Sequence, residues 1–263
     1  MHELGPFTFW ELLVLIVGGT ALLGWGGTLL AHRGLTGRIR DGHNEVLVPL
    51  YATAAVIYAV LLAFIVIAVW EQFSAATDNA AGEASTLATM YRETQAMPVA
   101  ERTSLRRLIR GYTDGVIETE WKVQAHGGTS AAARDAIVRM YDVIGKEPQE
   151  VASDSINTQF VGELSAMTSD RTKRLLATQD RLPWVMWLGL ILGGLVVVVA
   201  GCVLYMQSLQ LHAALSGVVA TLIGVLLFST LVLDRPFQGR FGIRPDQFEH
   251  AIAVYNAVDR TPG

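Results

Sequence analysis

The sequence predicts an all-α integral membrane protein, with four transmembrane helices and a helical cytoplasmic domain inserted between the second and the third. Hydrophobic residues make up 51% of the 263-residue chain and charged residues only 17%, which is too apolar for an ordinary soluble domain. The apolar residues are concentrated in four long runs, and a helix needs roughly 20 such residues to cross a bilayer core. No run alternates between apolar and polar residues as a strand would, so the remaining segments are also expected to be helical.

The four runs differ in how many ionisable residues they contain. Only Glu11, in the first, and His212, in the fourth, interrupt them. Glu11 is either a carboxylate at the headgroup level or part of an ion pathway, since ionisable groups inside a membrane are costly and often functional. The first run is too long for a signal-peptide core and has no preceding lysine or arginine, which predicts a retained span. The predicted spans are residues 7–31, 46–70, 183–206 and 211–233.

The second span continues beyond the membrane as the same helix. From Trp70 to Pro98 the chain is rich in helix formers and contains only Gly82 as a weak breaker. Apolar and small side chains recur there at intervals of three or four residues, the stripe of an amphipathic helix. The sequence thus predicts one helix of roughly 45–50 residues, about 70 Å long. The stripe consists of Phe73, Ala76, Ala80, Ala84, Leu87 and Tyr91.

The inserted domain is predicted to occupy residues 71–182, and residues 234–263 to form a C-terminal cytoplasmic segment. Pro98 opens a second helix in the domain. Ser130 is a good N-cap for a third helix, and Pro148 starts a fourth that leads towards the third span.

Small residues form strips along three of the spans. Such strips let helices approach closely, so we expect them to be packing surfaces. The third and fourth spans are joined only by residues 207–210 and must form an antiparallel hairpin. The strips are Thr20, Gly24 and Thr28 in the first span, Gly189 and Gly193 in the third, and His212, Ser216, Ala220 and Gly224 in the fourth.

Basic residues near the span ends predict the orientation. Seven arginines and lysines lie on the side of the inserted domain and three on the other side. Cytoplasmic loops carry the excess of lysine and arginine, so the domain and both termini are predicted to lie in the cytoplasm, with the spans in the inner membrane. The three on the opposite side are Arg33, Arg38 and Arg40.

The residues contain no recognisable catalytic or metal-binding motif. The six histidines are scattered and Cys202 is the only cysteine, so neither a metal site nor a cofactor is expected. Asp114, Glu118 and Glu120 resemble a carboxylate cluster, but helical geometry turns Glu120 away from the other two and predicts a solvated face. The net charge of -4 argues against a nucleic-acid partner. An enzyme that acts on lipid remains an open alternative, because a lipid-facing active site needs few residues.

Two stretches of the sequence carry a family resemblance. One combines Tyr58–Phe64 with Trp70, Glu83, Leu87 and Tyr91; the other is Asp234–Gly239, directly after the last span. Together they resemble a family of bacterial membrane proteins with a bestrophin-like domain, over roughly residues 43–255. The resemblance implies four spans, cytoplasmic termini and a helical insert, and a distant relation to bestrophins, which are pentameric anion channels. Only Asp246 and Glu249 are acidic near the end of the last span, so the calcium site of animal bestrophins is not expected.

The leading functional hypothesis is a homo-oligomeric ion channel, with anions as candidate ions and the second span around a central pore. A pentamer is favoured, with a tetramer as the alternative. One face of the second span is mostly apolar and would suit a gate that excludes water, centred on Leu62 and Ile65. The alternative is that this face packs against the other spans. The rival function is a non-conducting membrane scaffold or sensor whose cytoplasmic helices bind a protein. The predicted pore face consists of Tyr51, Ala54, Ala55, Tyr58, Leu62, Ile65, Val69 and Gln72.

Overall fold

The computed structural model describes residues 9–35, 41–145 and 151–260, and every regular element in these ranges is a helix. The expected all-α class is therefore confirmed. Four of the helices are long and apolar enough to cross a membrane. We number the helices α1 (residues 9–35), α2 (Asn44–Glu93), α3 (residues 99–124), α4 (Ala131–Gly145), α5 (Val151–Leu176), α6 (Trp184–Val203), α7 (Leu209–Leu233) and α8 (Asp246–Arg260).

The described chain divides into two compact units that are each discontinuous in sequence. The first unit contains residues up to 72 together with residues 181–242, and thus α1, the first part of α2, α6 and α7. The second unit contains residues 73–180 and the C-terminal residues from 243 onward. The cytoplasmic placement of residues 71–182 and 234–263 stays a prediction.

Helix α2 is the single long helix that the sequence predicts. It runs without interruption for 50 residues and begins at Asn44, slightly before the predicted span. Gly82 lies inside it, where an added Cβ would come within 2.7 Å of the Asp170 carboxylate. The glycine therefore makes room for a neighbouring side chain of the second unit, which explains why this poor helix former is tolerated.

The small-residue strips of α1 and α7 are packing surfaces, as the sequence predicts, and the structure shows that they pack against each other. A Cβ at Gly24 would lie 2.5 Å from the Ser216 carbonyl oxygen and 2.7 Å from the Ala220 Cβ. A Cβ at Gly224 would overlap the Thr20 hydroxyl. Because these positions lack bulk, the two backbones approach closely, the usual arrangement of helices in a bilayer.

The connection between α6 and α7 is slightly longer than the predicted residues 207–210. Helix α6 ends at Val203 because Leu204 adopts an extended conformation. The Tyr205 backbone N–H then donates to Asn44 Oδ1 at 3.0 Å, and Asn44 Nδ2 donates to the Tyr205 carbonyl at 2.7 Å. The oxygen and the nitrogen of one side-chain amide thus both hold the turn, and Ser208 caps α7.

The second unit contains the helices expected between the spans. Helix α3 begins after Pro98 and includes a π-type turn at Val116–Glu120. Ser130 Oγ accepts a hydrogen bond from the Ala133 backbone N–H at 3.2 Å, which confirms the predicted N-cap of α4. Pro148 lies outside the described residues.

Candidate functional site

The predicted pore face of α2 is, for the most part, the face that packs inside its own chain. Tyr58, Leu62, Ile65 and Val69 are each no more than 6% exposed. Their spacing of three or four residues places them on one stripe of the helix. This stripe contacts the core of the first unit, which includes Leu182, Leu190, Val197, Val198, Cys202, Ala220 and Ile223.

Tyr58 is fitted closely against α6. A Cβ at Gly193 would come within 2.7 Å of the Tyr58 ring, and one at Gly194 within 2.9 Å of its hydroxyl. The glycines therefore make space for the ring, so Gly193 is a packing position as predicted, whereas Gly189 has no neighbour within 4 Å of its Cβ position. The Tyr58 hydroxyl is buried and has no hydrogen-bond partner among the described residues.

The two ends of the predicted face are more accessible than its centre. Tyr51 is half-buried beside Gly201 and borders a cavity. Gln72 is exposed. Of the eight predicted positions, the structure thus buries four in the core, leaves Tyr51, Ala54 and Ala55 half-buried, and exposes Gln72. Whether any of them lines a pore stays a prediction.

The opposite face of α2 is largely uncovered by the described residues of the same chain. Val56, Val60, Phe64 and Ile67 are between 51% and 69% exposed. They lie across the helix from the buried stripe, and we call them the exposed face of α2. In a bilayer such side chains contact lipid or a neighbouring protein, since no water is present to disfavour their exposure.

The second unit contains a buried ionic cluster formed by Arg174, Glu83, Glu120, Tyr112 and Gln124. The Arg174 side chain is fully buried, and its guanidinium donates to Glu83 Oε2 at 2.7 Å and to Glu120 Oε1 at 2.8 Å. It also donates to the Gln124 amide oxygen. Tyr112 adds a hydrogen bond to Glu83 Oε1 at 2.6 Å.

This cluster corrects the sequence interpretation of Glu120. The carboxylate was expected on a solvated face, but its side chain is 0% exposed and pairs with both Arg174 and Arg171. Glu120 lies in the π-type turn of α3, which adds a residue to the turn and shifts the direction in which following side chains project. Its backbone partner is the Ser130 N–H, at 2.9 Å.

The environment of the ionic cluster favours the ionised forms of Glu120 and Arg174 and the neutral form of Tyr112. Burial opposes the ionised form of Glu120, but the hydrogen bond from Arg171 and the charges of both arginines outweigh it and lower its pKa. Burial raises the pKa of Tyr112 well above its usual value, and the Glu83 charge raises it further. Burial alone would lower the pKa of Arg174, but the neighbouring carboxylates raise it.

A second polar cluster of the second unit involves the C-terminal helix α8. The Asp259 carboxylate accepts from Arg106 and Arg110 at 2.8 Å each, and from the Tyr91 hydroxyl at 2.8 Å. The Tyr91 ring stacks on Tyr255, with centroids 4.3 Å apart. These contacts attach α8 to α2 and α3 within the unit.

The segment after α7, which carries part of the family resemblance, organises the end of the first unit. Asp234 Oδ1 accepts the Leu182 backbone N–H at 2.6 Å, which attaches the residue before α6 to the end of α7. Phe237 is 7% exposed. Gly239 has a φ of 74°, a conformation that glycine adopts without strain.

Within the described residues, no group of three or more histidine, cysteine or acidic side chains is arranged to hold a metal ion. The two polar clusters pair arginine with carboxylate, and each also contains a tyrosine hydroxyl bonded to a carboxylate. The apolar helices of the first unit are the candidate functional region.

Comparison with known proteins identifies the fold and the family. The family model described as Bestrophin-like domain matches residues 18–248. A leucine-to-threonine variant of a bacterial bestrophin homologue from Klebsiella pneumoniae has a TM-score of 0.75 at 10% identity, covering 93% of this chain and 99% of that one. An isoleucine-to-threonine variant of that homologue gives 0.70 at 13% identity, covering 93% and 98%.

A third solved structure, a membrane protein with a glycine-to-alanine substitution, gives a TM-score of 0.75 at 12% identity over 94% of this chain and 100% of that one. Among proteins of curated function, none matches this chain. At these identities the structural likeness supports a shared fold.

Proposed function

We propose, from the premise that this chain belongs to the bestrophin-like family, that it forms a homo-oligomeric ion channel in which α2 of each subunit lines a central pore. The observation that carries the proposal is the two-sided character of α2 in the first unit. One stripe is buried in its own chain, while the exposed face is apolar and is left largely uncovered by the rest of the described chain. A helix with this division can pack on its own subunit and face a shared axis at the same time.

The small number of spans supports assembly. Four candidate spans enclose no pathway by themselves when their buried side chains meet in one apolar core. A ring of copies supplies the missing wall, and closed cyclic symmetry is the usual arrangement of homo-oligomers. We propose a pentamer, with a tetramer as the alternative, in the inner membrane with cytoplasmic termini.

The burial of α2 bears on which of its faces lines the pore. The sequence favours the side of Leu62 and Ile65, but those side chains already pack against α6 and α7. We infer that the exposed face, which includes Val60 and Phe64, provides the apolar constriction. Bulky apolar side chains arranged in a ring around the axis close a pore because they exclude water and do not bind the ion.

Planar bilayers containing the purified protein test conduction directly. We expect single-channel steps whose reversal potential follows a chloride gradient rather than a potassium gradient, since anions are the candidate ions. If native mass spectrometry shows a pentamer or a tetramer and the protein still carries no current, the channel proposal is contradicted. A monomer in both mild detergent and lipid would contradict the central pore.

A membrane scaffold is the second candidate, and one feature of the second unit favours it. Val99, Val138 and Leu176, on α3, α4 and α5, are 70%, 56% and 52% exposed. Exposed apolar side chains in an aqueous unit suit a protein interface. If their replacement by serine abolishes capture of another protein while reconstituted channels stay silent, the scaffold is the better description.

A further inference from the structure

The first unit contains an open cavity of about 220 Å³ where α2 begins, α6 ends and α7 begins. Most of its wall is aliphatic, contributed by all three helices. No lysine, arginine, aspartate or glutamate is among the described residues that line it. The apolar wall consists of Val48, Val197, Val198, Leu204, Leu215 and Val219.

A few polar groups lie within the same lining. Asn44 is already engaged with the turn at Tyr205. His212 is 7% exposed, and its Nε2 is 3.0 Å from the Gly201 carbonyl oxygen. The Tyr51 hydroxyl makes no hydrogen bond to any described residue, although its ring packs beside Gly201. Tyr205 and Ser216 also belong to the lining, so the cavity offers several hydroxyl donors beside an aliphatic wall, and Tyr51 is the one contributed by α2.

We propose that this cavity holds one acyl chain of a membrane phospholipid, with the chain's ester carbonyl accepting a hydrogen bond from Tyr51. The cavity lies at the ends of three spans, where the polar interface of a bilayer meets its hydrocarbon, and tyrosine is suited to that depth. An unsatisfied hydroxyl is costly next to hydrocarbon, and the ester supplies the acceptor.

The size and charge of the cavity favour this occupant over others. Its volume lies below the roughly 300–1,000 Å³ of sites for drug-sized ligands, but it accommodates a segment of a single chain whose remainder continues into the bilayer. An inorganic anion would find no cationic side chain in the described lining. Each methylene that enters the cavity adds to the binding free energy. The inference depends on the membrane location of the first unit and not on ion conduction.

Photolabelling of the full-length protein in nanodiscs tests the proposal. A phosphatidylethanolamine with a diazirine in its acyl chain is activated by light, and the labelled peptides are mapped by mass spectrometry. We expect labels to concentrate on cavity-lining residues. Leu215→Trp, which places an indole into the cavity from α7, should reduce that labelling by about fivefold or more, since the bulky ring occupies the space of the chain.

The matched control is Leu222→Trp, seven residues further along the same face of α7. Leu222 is 60% exposed, compared with 49% for Leu215, and does not line the cavity. It should leave the labelling unchanged. Tyr51→Phe, which keeps the ring and removes the donor, should speed the exchange of bound lipid without closing the cavity.

Two results would overturn the proposal. In the first, the cavity lining is labelled no more strongly than the surface around Leu222; in the second, the labelling persists in Leu215→Trp. If Leu215→Trp fails to assemble, Val48→Trp fills the same cavity from α2 and carries the same expectation. Currents are measured separately, so a silent protein with a labelled cavity would contradict the channel and leave the lipid site supported.

Discussion

Helix α2 contributes to the apolar cores of both units, but the core of the second unit also encloses a buried ionic cluster. In the first unit, the buried side chains of α2 are Tyr58, Leu62, Ile65 and Val69, and they meet an apolar core. In the second, α2 contributes Glu83 to a core that encloses the Arg174 guanidinium. Apolar packing defines position through shape alone, whereas an ionic pair also requires particular partners.

This difference predicts different responses to mutation. In an apolar core, removal of a side chain leaves a cavity, and the neighbouring side chains partly relax into it. In a buried ionic cluster, removal of one partner leaves an uncompensated charge that water cannot solvate. We therefore expect the largest effects in the second unit, and the following variants are ordered accordingly.

Arg174→Met should produce the largest loss. It keeps much of the side-chain volume but leaves Glu83 and Glu120 in a buried site without their shared cation, and breaking a buried pair costs about 3–5 kcal/mol. The measurement is the melting temperature of the purified protein by fluorescence-detected size exclusion.

The matched control is Lys173→Met at the preceding position. The Lys173 side chain is 56% exposed, and its ion pair with Asp170 is three residues away on the same helix. Exposed pairs contribute little, so the control should melt close to the unmodified protein. Equal losses in the two variants would show that the buried charges do not dominate this core.

Leu62→Ala should come next, and it also separates the two faces of α2. A buried leucine replaced by alanine costs about 2–5 kcal/mol, so this variant should melt at a lower temperature and show no increase in current. Val60→Ala on the exposed face should change the melting temperature little and raise the basal current, because it widens the constriction. Both quantities should be measured on the same preparations.

The reverse result would restore the predicted pore face. If Leu62→Ala or Ile65→Ala raises the current and retains stability while Val60→Ala has no effect, the buried stripe lines the pore in the assembly. The helix would then have to rotate relative to α6 and α7 on oligomerisation.

Gly24→Ala should have a smaller effect, through overpacking instead of loss of contacts. Its Cβ would lie 2.5 Å from the Ser216 carbonyl oxygen, and a forced separation of helices typically costs about 1–3 kcal/mol. Gly26→Ala, two residues along the same helix, is the control because nothing lies within 4 Å of its Cβ position. Equal melting temperatures for the two variants would mean that α1 and α7 do not depend on close approach.

Acid should produce the smallest effect, confined to the second unit. The folded-state pKa of Glu120 is lowered below its ordinary value of 4.5, so the stability that its ionised form provides is present above that pH and is lost as the pH falls through the lowered value. Glu120→Gln should remove this part of the acid dependence. An unchanged profile between about pH 5 and pH 3 would indicate that Glu120 does not titrate on unfolding.

Much of this fold follows from local sequence patterns. Hydropathy predicts the four spans, and the spacing of Ala76, Ala80 and Ala84 predicts the continuation of α2 beyond the membrane, because both signals arise from neighbouring residues on one helix. The Ser130 cap is predicted for the same reason. The strips around Gly24 and Ala220 indicate close packing, although they do not identify the partner helix.

The ionic cluster could not be predicted in this way. Glu83 and Arg174 are separated by 91 positions, and no local pattern links an acidic residue on one helix to a basic residue on another. The expected solvated position of Glu120 failed because a regular helix was assumed where a π-type turn occurs. An acidic residue within the otherwise apolar stripe beside Ala80 and Ala84 was the one available signal of a buried partner.

The attachment of α8 through Asp259 has a consequence for the order of synthesis. Asp259 bonds to Tyr91, which lies 168 positions earlier, and the whole hairpin of α6 and α7 is translated between them. Residues 73–180 leave the ribosome long before their last helix exists, and nascent domains begin folding as they emerge. The second unit therefore cannot complete its fold until α8 has been synthesised, and the surface of Tyr91 that stacks on Tyr255 stays uncovered until then.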